Sequence, residues 1–230
     1  FFKYNEAKEH PDYITITCLE WKHLLAEDAF KDIIIDSLRF LTQSERIRVF
    51  VFVIMSNHFH LIWQMRGEHK REDVQRDFLR YTGQQILKHL RNVQSPWLSE
   101  LLVGAKDRKY QVWERNALSV PLYSSQFFFQ KMEYIHNNPV RAGLCRYPDE
   151  YKYSSASFYY RNKVDFNFLT HYMGDGAMRG CDRTRGSLLV KNTNKGLDRS
   201  VFRDSHPSAE RHREKNGLIR LRWFFAETGI

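Results

Sequence analysis

Residues 47–65 read IRVFVFVIMSNHFHLIWQM and contain two apolar runs, residues 47–55 and residues 58–65. Only Ser56 and Asn57 separate the runs, and so short a polar break between apolar runs indicates a β-hairpin. Because side chains alternate between the two faces of a strand, His58 and His60 are expected on one face and Phe59 on the other. The sequence therefore predicts a hairpin that carries two neighbouring imidazoles.

Strand and helix patterns alternate around this hairpin. Residues 13–18 (YITITC) are β-branched and aromatic and predict a strand. Apolar residues at helical spacing predict three helices, over residues 24–41, 72–90 and 125–138, and Pro139 is expected to end or bend the last one. Residues 91–109 are expected to be loop-like, and residues 110–113 (YQVW) a further short strand. This order of elements predicts an α+β fold with helices packed on an antiparallel sheet.

The composition of the chain changes near Gly174. Glycine, arginine and polar residues dominate from there to residue 216, so that stretch is expected to be extended or poorly ordered, whereas residues 218–226 (LIRLRWFFA) are apolar enough to dock on another surface. We therefore expect one domain over residues 1–173 and an irregular tail of unknown role over residues 174–230.

Charge and cysteine content limit the possible classes of protein. The 230 residues include 36 Lys or Arg and 27 Asp or Glu, a net charge of +9, which favours a polyanionic partner but also serves general solubility. The three cysteines are far apart in sequence, which argues against a disulfide framework or a cysteine-rich zinc site. No apolar run approaches the ~20 residues of a membrane span. A cytoplasmic protein without membrane contact is the expectation.

Two pairs of residues have spacings that suit a chemical site. His58 and His60 could share a divalent cation through neutral ring nitrogens, although most His-x-His pairs are ordinary surface or core residues. Tyr134 and Asn138 are four residues apart and would lie on one face of a helix. An ordinary structural explanation exists here as well, since Asn138 could cap the helix before Pro139 and Tyr134 could be a core aromatic residue.

Two motifs together carry a family resemblance. Residues 53–64 (VIMSNHFHLIWQ) and residues 134–144 (YIHNNPVRAGL) resemble the single-tyrosine HUH transposases, particularly the branch of REP-associated tyrosine transposases. Residues 151–159 (YKYSSASFY) and the opening strand support this resemblance, which spans roughly residues 8–173.

The resemblance implies a function, a fold and a site. The implied function is a DNA endonuclease and strand transferase, active in DNA transposition and recombination, and the implied fold is ferredoxin-like. His58, His60 and Asn138 match the metal ligands, for Mg²⁺ or Mn²⁺, and Tyr134 matches the nucleophile. In the family, the tyrosine forms a 5′-phosphotyrosine link to single-stranded or hairpin DNA, and some members are monomers while others are homodimers.

Basic residues near these motifs are candidates for DNA binding. On the helix over residues 72–90 and just before it, Arg71, Arg76, Arg80 and Lys88 could follow phosphates, and Tyr81 could stack on a base. Lys131 and Arg141 flank the tyrosine motif and could also meet phosphate. A solvated helix face accounts equally well for the first group.

The same residues are compatible with two other functions. One is a decayed transposase that binds nucleic acid without cutting it, and the other is a metal-dependent phosphoesterase in which water attacks in place of Tyr134.

Overall fold

The computed structural model describes residues 10–115 and 117–174. The predicted tail, apart from Gly174, lies outside the described residues. The helices and strands, in chain order, are β1 (Asp12–Thr17), α1 (Asp28–Gln43), β2 (Ile47–Ile54), β3 (His58–Met65), α2 (Arg71–Asn92), α3 (Trp97–Glu100), β4 (Leu102–Ala105), β5 (Arg108–Tyr110), β6 (Leu118–Pro121), α4 (Ser125–Arg141) and α5 (Ala156–Tyr160). Short 3₁₀ turns lie at Leu19–Trp21, Leu24–Ala26 and Pro148–Glu150.

Four of the strands form one antiparallel sheet in the order β2-β3-β1-β6. Strands β4 and β5 form a separate two-stranded hairpin between α2 and β6. Without this insertion and α3, the elements from β1 to β6 follow the order β-α-β-β-α-β, which is the ferredoxin-like arrangement, and α4 and α5 come after it. The predicted α+β fold with helices packed on an antiparallel sheet is confirmed.

The hairpin of β2 and β3 forms as predicted, with Ser56 and Asn57 in its turn. The backbone N–H of Met55 donates to the carbonyl of His58, 2.8 Å away, and closes the turn. A β-bulge interrupts the pairing between Val49 and Val51, so Phe50 and Val51 both join the same apolar cluster. The bulge is one extra residue that changes which face the following side chains occupy.

The sheet is covered on both faces. From β3, Phe59, Leu61 and Trp63 pack with the apolar side chains of α1 and α2 in one core cluster. From the opposite face of the same strand, Ile62 packs in a second cluster with Phe128 and Ile135 of α4. The alternation of side chains along β3 therefore places His58 and His60 on the face that α4 covers.

Helix α4 begins at a conventional cap and extends further than its sequence indicates. The Ser124 side chain accepts a hydrogen bond from the Phe127 backbone N–H at 3.2 Å. The prediction that Pro139 ends or bends the helix at Asn138 is wrong about the end, because the helix continues to Arg141. A proline in the last turn removes only one intrahelical hydrogen bond, and Pro139 is buried. The helix stops before Gly143, which has a φ of +70°.

Three other sequence predictions need correction. The first helix begins at Asp28, because residues 24–26 form a 3₁₀ turn. The stretch expected to be loop-like, residues 91–109, contains α3, β4 and most of β5. The short strand expected over residues 110–113 is displaced: β5 ends at Tyr110, and Trp113 makes a single bridge to Cys18.

Strand β6 was not anticipated from the sequence. It has only four residues (LSVP) and ends in a proline, and proline is tolerated in a sheet where no ladder hydrogen bond is required, as at an edge. Pairing with β1 places it at the sheet edge.

Candidate active site

The site lies where α4 crosses β3. The rings of His58 and His60 are neighbours, with centroids 4.8 Å apart, and the Tyr134 ring stands edge-on to His60 at a centroid distance of 5.4 Å. Residues more than 70 positions apart in sequence therefore meet because α4 packs on the histidine face of the sheet.

Asn138 completes the group of four predicted residues. Its amide nitrogen donates to the backbone carbonyl of Tyr134, one turn earlier, at 2.9 Å. Its side chain also interacts with the His58 side chain, and this interaction raises the pKa of the His58 imidazole. The structure thus brings His58, His60, Tyr134 and Asn138 together.

His60 is held deep in the site by β1. Its Nδ1 lies 2.9 Å from Oγ1 of Thr15 and 3.0 Å from the hydroxyl oxygen of Tyr13, and Thr15 is its direct partner in the strand pairing. Its Nε2 is buried and has no hydrogen-bond partner among the described residues. A proton on Nδ1, donated to either hydroxyl oxygen, leaves the Nε2 lone pair free for a cation.

His58 is held in a similar way from the hairpin turn. Its Nδ1 lies 2.7 Å from Oδ1 of Asn57. Burial lowers the pKa of His58 to about 4, against the opposing effect of the Asn138 side chain. Burial also lowers the pKa of His60 well below its usual range, helped by the nearby charges of His58 and Lys131. Both imidazoles are therefore neutral near pH 7, the form that binds metal.

The donor set determines what kind of cation the site suits. The described residues contain no group of three or more His, Cys, Asp or Glu side chains that could hold a metal ion. The predicted set has two imidazoles and an amide oxygen, so it falls outside that kind of group. The buried and unpartnered Nε2 of His60 is the observation that fits a ligand position. Three neutral ligands leave several positions of an octahedral ion open.

Two basic side chains stand beside the Tyr134 ring. The Lys131 ammonium lies over the rings of Tyr13, Phe127 and Tyr134, at 5.0, 5.3 and 5.8 Å from their centroids. The Arg141 guanidinium lies 5.5 Å from the Tyr134 centroid. Burial lowers the pKa of Lys131. No carboxylate in the described part of the chain forms an ion pair with either side chain, so both charges remain available to an anion.

The other predicted DNA-binding residues lie elsewhere. They belong to α2, which covers the opposite face of the sheet, and Arg71, Arg76 and Arg80 are each paired with a neighbouring acidic residue of that helix. Arg80, Tyr81 and Lys88 line a groove of roughly 700 Å³ between α1 and α2. The structure therefore does not bring this group together with Tyr134.

Some residues of the site were not singled out from the sequence. Tyr13 and Thr15 contact His60, and Asn57 contacts His58. Alternation along β1 places Tyr13 and Thr15 on one face, but only the pairing of β1 with β3 reveals that this face is the histidine face. His136, two residues from Tyr134, is fully buried on another side of α4, and its Nε2 lies 2.8 Å from Oγ of Ser155.

No family model and no curated protein matches this chain. Among solved structures, the chain is similar to a REP-associated tyrosine transposase bound to a REP hairpin, with 13% identity over 67% of this chain and 81% of that one, and a TM-score of 0.48. It is also similar to a presumed transposase from Deinococcus radiodurans R1, with 15% identity over 59% of this chain and 97% of that one, and a TM-score of 0.40.

No helix within residues 10–115 and 117–174 is long and apolar enough to cross a membrane.

Proposed function

We propose that this chain is a metal-dependent DNA transposase that cuts and rejoins single-stranded DNA with Tyr134 as its nucleophile. The observation that carries the proposal is the convergence of the tyrosine with two histidines and an asparagine from a distant part of the chain. The motif resemblance described from the sequence assigns the same four residues to one site.

The metal ligands in this proposal are His58, His60 and Asn138. The two imidazoles are neutral, and Tyr13, Thr15 and Asn57 orient them through Nδ1. A Mg²⁺ or Mn²⁺ ion bound here would supply polarisation of the scissile phosphate. Asn138 lies in the last turns of α4, where the carbonyl end of the helix favours a cation.

Tyr134 performs the group transfer. Its phenolic oxygen forms a bond to the phosphorus while the bond from phosphorus to the 3′-oxygen breaks, which leaves a 5′-phosphotyrosine and a free 3′-hydroxyl. The phenolic proton is lost from Tyr134, and the departing 3′-oxygen gains a proton. Attack by another 3′-hydroxyl reverses these changes and releases the tyrosine, so strand transfer needs no external energy source.

Lys131 and Arg141 assist this transfer electrostatically. Two cations lie beside the Tyr134 ring, and neither is paired with a described carboxylate. Both favour the negatively charged phosphate that approaches the ring.

The DNA in this proposal is single-stranded or forms a hairpin, and it contacts the protein in two places. Lys131 and Arg141 bind phosphate at the site itself. The residues of α2, Arg71, Arg76, Arg80, Tyr81 and Lys88, form a remote contact on the other side of the sheet. Because the α2 arginines are already paired with acidic residues, their contribution should be smaller than that of Lys131 and Arg141.

The test is a search for the covalent intermediate. The full chain is incubated with a pool of labelled single-stranded hairpins and Mn²⁺, and a labelled adduct that survives denaturation is sought. Tyr134→Phe removes only the phenolic oxygen, so this variant should bind DNA but form no adduct and make no cut. Tyr123→Phe, at an exposed tyrosine just before α4, should behave as the parent.

The outcomes separate the possible functions. Three results together would mean that water attacks. Cleavage would persist in Tyr134→Phe, it would fail when His58 and His60 are both replaced by Ala, and the parent would never give an adduct. Binding of hairpins without any cleavage by the parent would favour the decayed binding module.

A further inference from the structure

An exposed tryptophan lies beside His58 of the candidate site. The Trp21 ring meets the His58 ring edge-on, with centroids 5.8 Å apart and planes at 65°. More than half of Trp21, 56%, is exposed, whereas Trp63 and Trp113 are buried. A large aromatic ring that the core does not use, next to a candidate metal ligand, is unusual enough to require an explanation.

The backbone that carries this ring is strained. Glu20 and Trp21 have φ values of +53° and +58°, and left-handed conformations at two successive residues other than glycine are energetically unfavourable. The turn is held by its surroundings. The backbone N–H of Trp21 donates to the Cys18 carbonyl at 3.0 Å, and that of Glu20 donates to the Glu114 carboxylate at 2.8 Å. The fold therefore maintains a costly conformation that presents an indole ring beside the site.

The charge next to this ring is already neutralised. Lys22 forms ion pairs with Glu20 and Glu100, at 2.6 and 3.7 Å. This position therefore offers an aromatic surface more than a free cation, which suits a nucleobase better than a phosphate. Among the described residues, Lys131 and Arg141, around the Tyr134 ring, are the cations of the site without an ion pair.

We propose that Trp21 is a stacking platform for one unpaired nucleobase of the DNA substrate. The inference rests on the proposed function, since it assumes a single strand whose scissile phosphate lies at His58. Because the Trp21 and His58 rings are neighbours, the stacked base belongs to a nucleotide close to the cut. Stacking on an aromatic ring accepts any base, so the contact holds the strand without reading its sequence.

The experiment compares binding with and without the ring. All variants are made in the full chain carrying Tyr134→Phe, so that binding is measured without cleavage. The probe is a labelled hairpin with single-stranded flanks. Trp21→Leu should raise the Kd by about 5- to 150-fold, the range given by base stacking on an aromatic side chain. Trp21→Phe should recover much of the loss. Tyr147→Leu, at a tyrosine of similar exposure away from the site, should leave the Kd unchanged.

A second measurement identifies the base. Each flanking nucleotide is replaced in turn by an abasic one. At one position this replacement should raise the Kd of the protein that retains Trp21 but leave the Kd of Trp21→Leu unchanged. Equal Kd values for the two proteins, or equal effects at every abasic position, would overturn the stacking role while leaving the proposed function intact. If the parent with Tyr134 neither binds nor cuts any single-stranded probe, the proposed function and this inference fail together.

Discussion

The buried imidazole of His136 should make the stability of the protein depend on pH in a defined window. His136 is fully buried on α4, between the rings of Tyr159 and Tyr160, and burial lowers its pKa to about 3. The unfolded chain binds a proton on this residue below about pH 6.5, whereas the folded chain does not until about pH 3. Protonation therefore favours unfolding, and stability is lost as the pH falls through this window.

The size of the effect follows from the two pKa values. Between pH 7 and pH 5 the contribution of His136 to the unfolding free energy should fall by about 2 kcal/mol, and by pH 4 it should have fallen by about 3 kcal/mol. His58 and His60 titrate in the same direction, so the comparison is made with His136→Gln. The glutamine amide can still reach Ser155 but carries no titratable proton.

The assay is denaturant unfolding of the full chain from pH 7 to pH 4 with a chelator present. Parent and His136→Gln lose the contributions of His58 and His60 alike, so the gap between their unfolding free energies should shrink by about 2 kcal/mol from pH 7 to pH 5. Ser155→Ala, which keeps the imidazole, should differ from the parent by a constant amount across that range. A constant gap for His136→Gln would refute the argument from burial.

Three further predictions concern binding. Mn²⁺ at 100 times its Kd should raise the free energy of unfolding of the parent, measured by thermal denaturation, by about 2.7 kcal/mol. Replacing His58 and His60 by Ala should abolish this increase. An equal increase in both proteins would mean that the ion binds elsewhere. For single-stranded DNA, Lys131→Met should reduce the slope of the logarithm of the binding constant against the logarithm of salt concentration by about 0.7, the value for one lost phosphate contact. Lys131→Arg should leave this slope unchanged. Replacing Arg76 and Arg80 together by Gln should raise the Kd for a hairpin, measured by titration, but leave adduct formation at saturating DNA intact. An unchanged Kd would mean that α2 does not contact the DNA.

Much of the candidate site could be derived from local patterns. The alternation of side chains in β3 places His58 and His60 on one face, and the spacing of four residues in α4 places Tyr134 beside Asn138. The hairpin turn at Ser56 and Asn57 is also a local feature. Each of these depends on backbone periodicity alone, so the amino-acid sequence was sufficient to determine it.

Helix and strand ends were less predictable where packing competes with propensity. Pro139 indicates a helix end, yet the helix continues through it because the lost hydrogen bond falls in the last turn and the ring is buried. Strand β6 has weak local signals and exists through its pairing with β1. In both places contacts with the rest of the chain outweighed the preference of the local sequence.

The sequence by itself determined the two halves of the site, one on a strand and one on a helix. Only the tertiary structure decided that α4 lies against the histidine face, that β1 brings Tyr13 and Thr15 to His60, and that the basic helix α2 lies on the other face of the sheet. These arrangements join residues far apart in the chain. They are decided by which apolar faces can be buried against one another, a property of the whole fold that no short segment of the sequence contains.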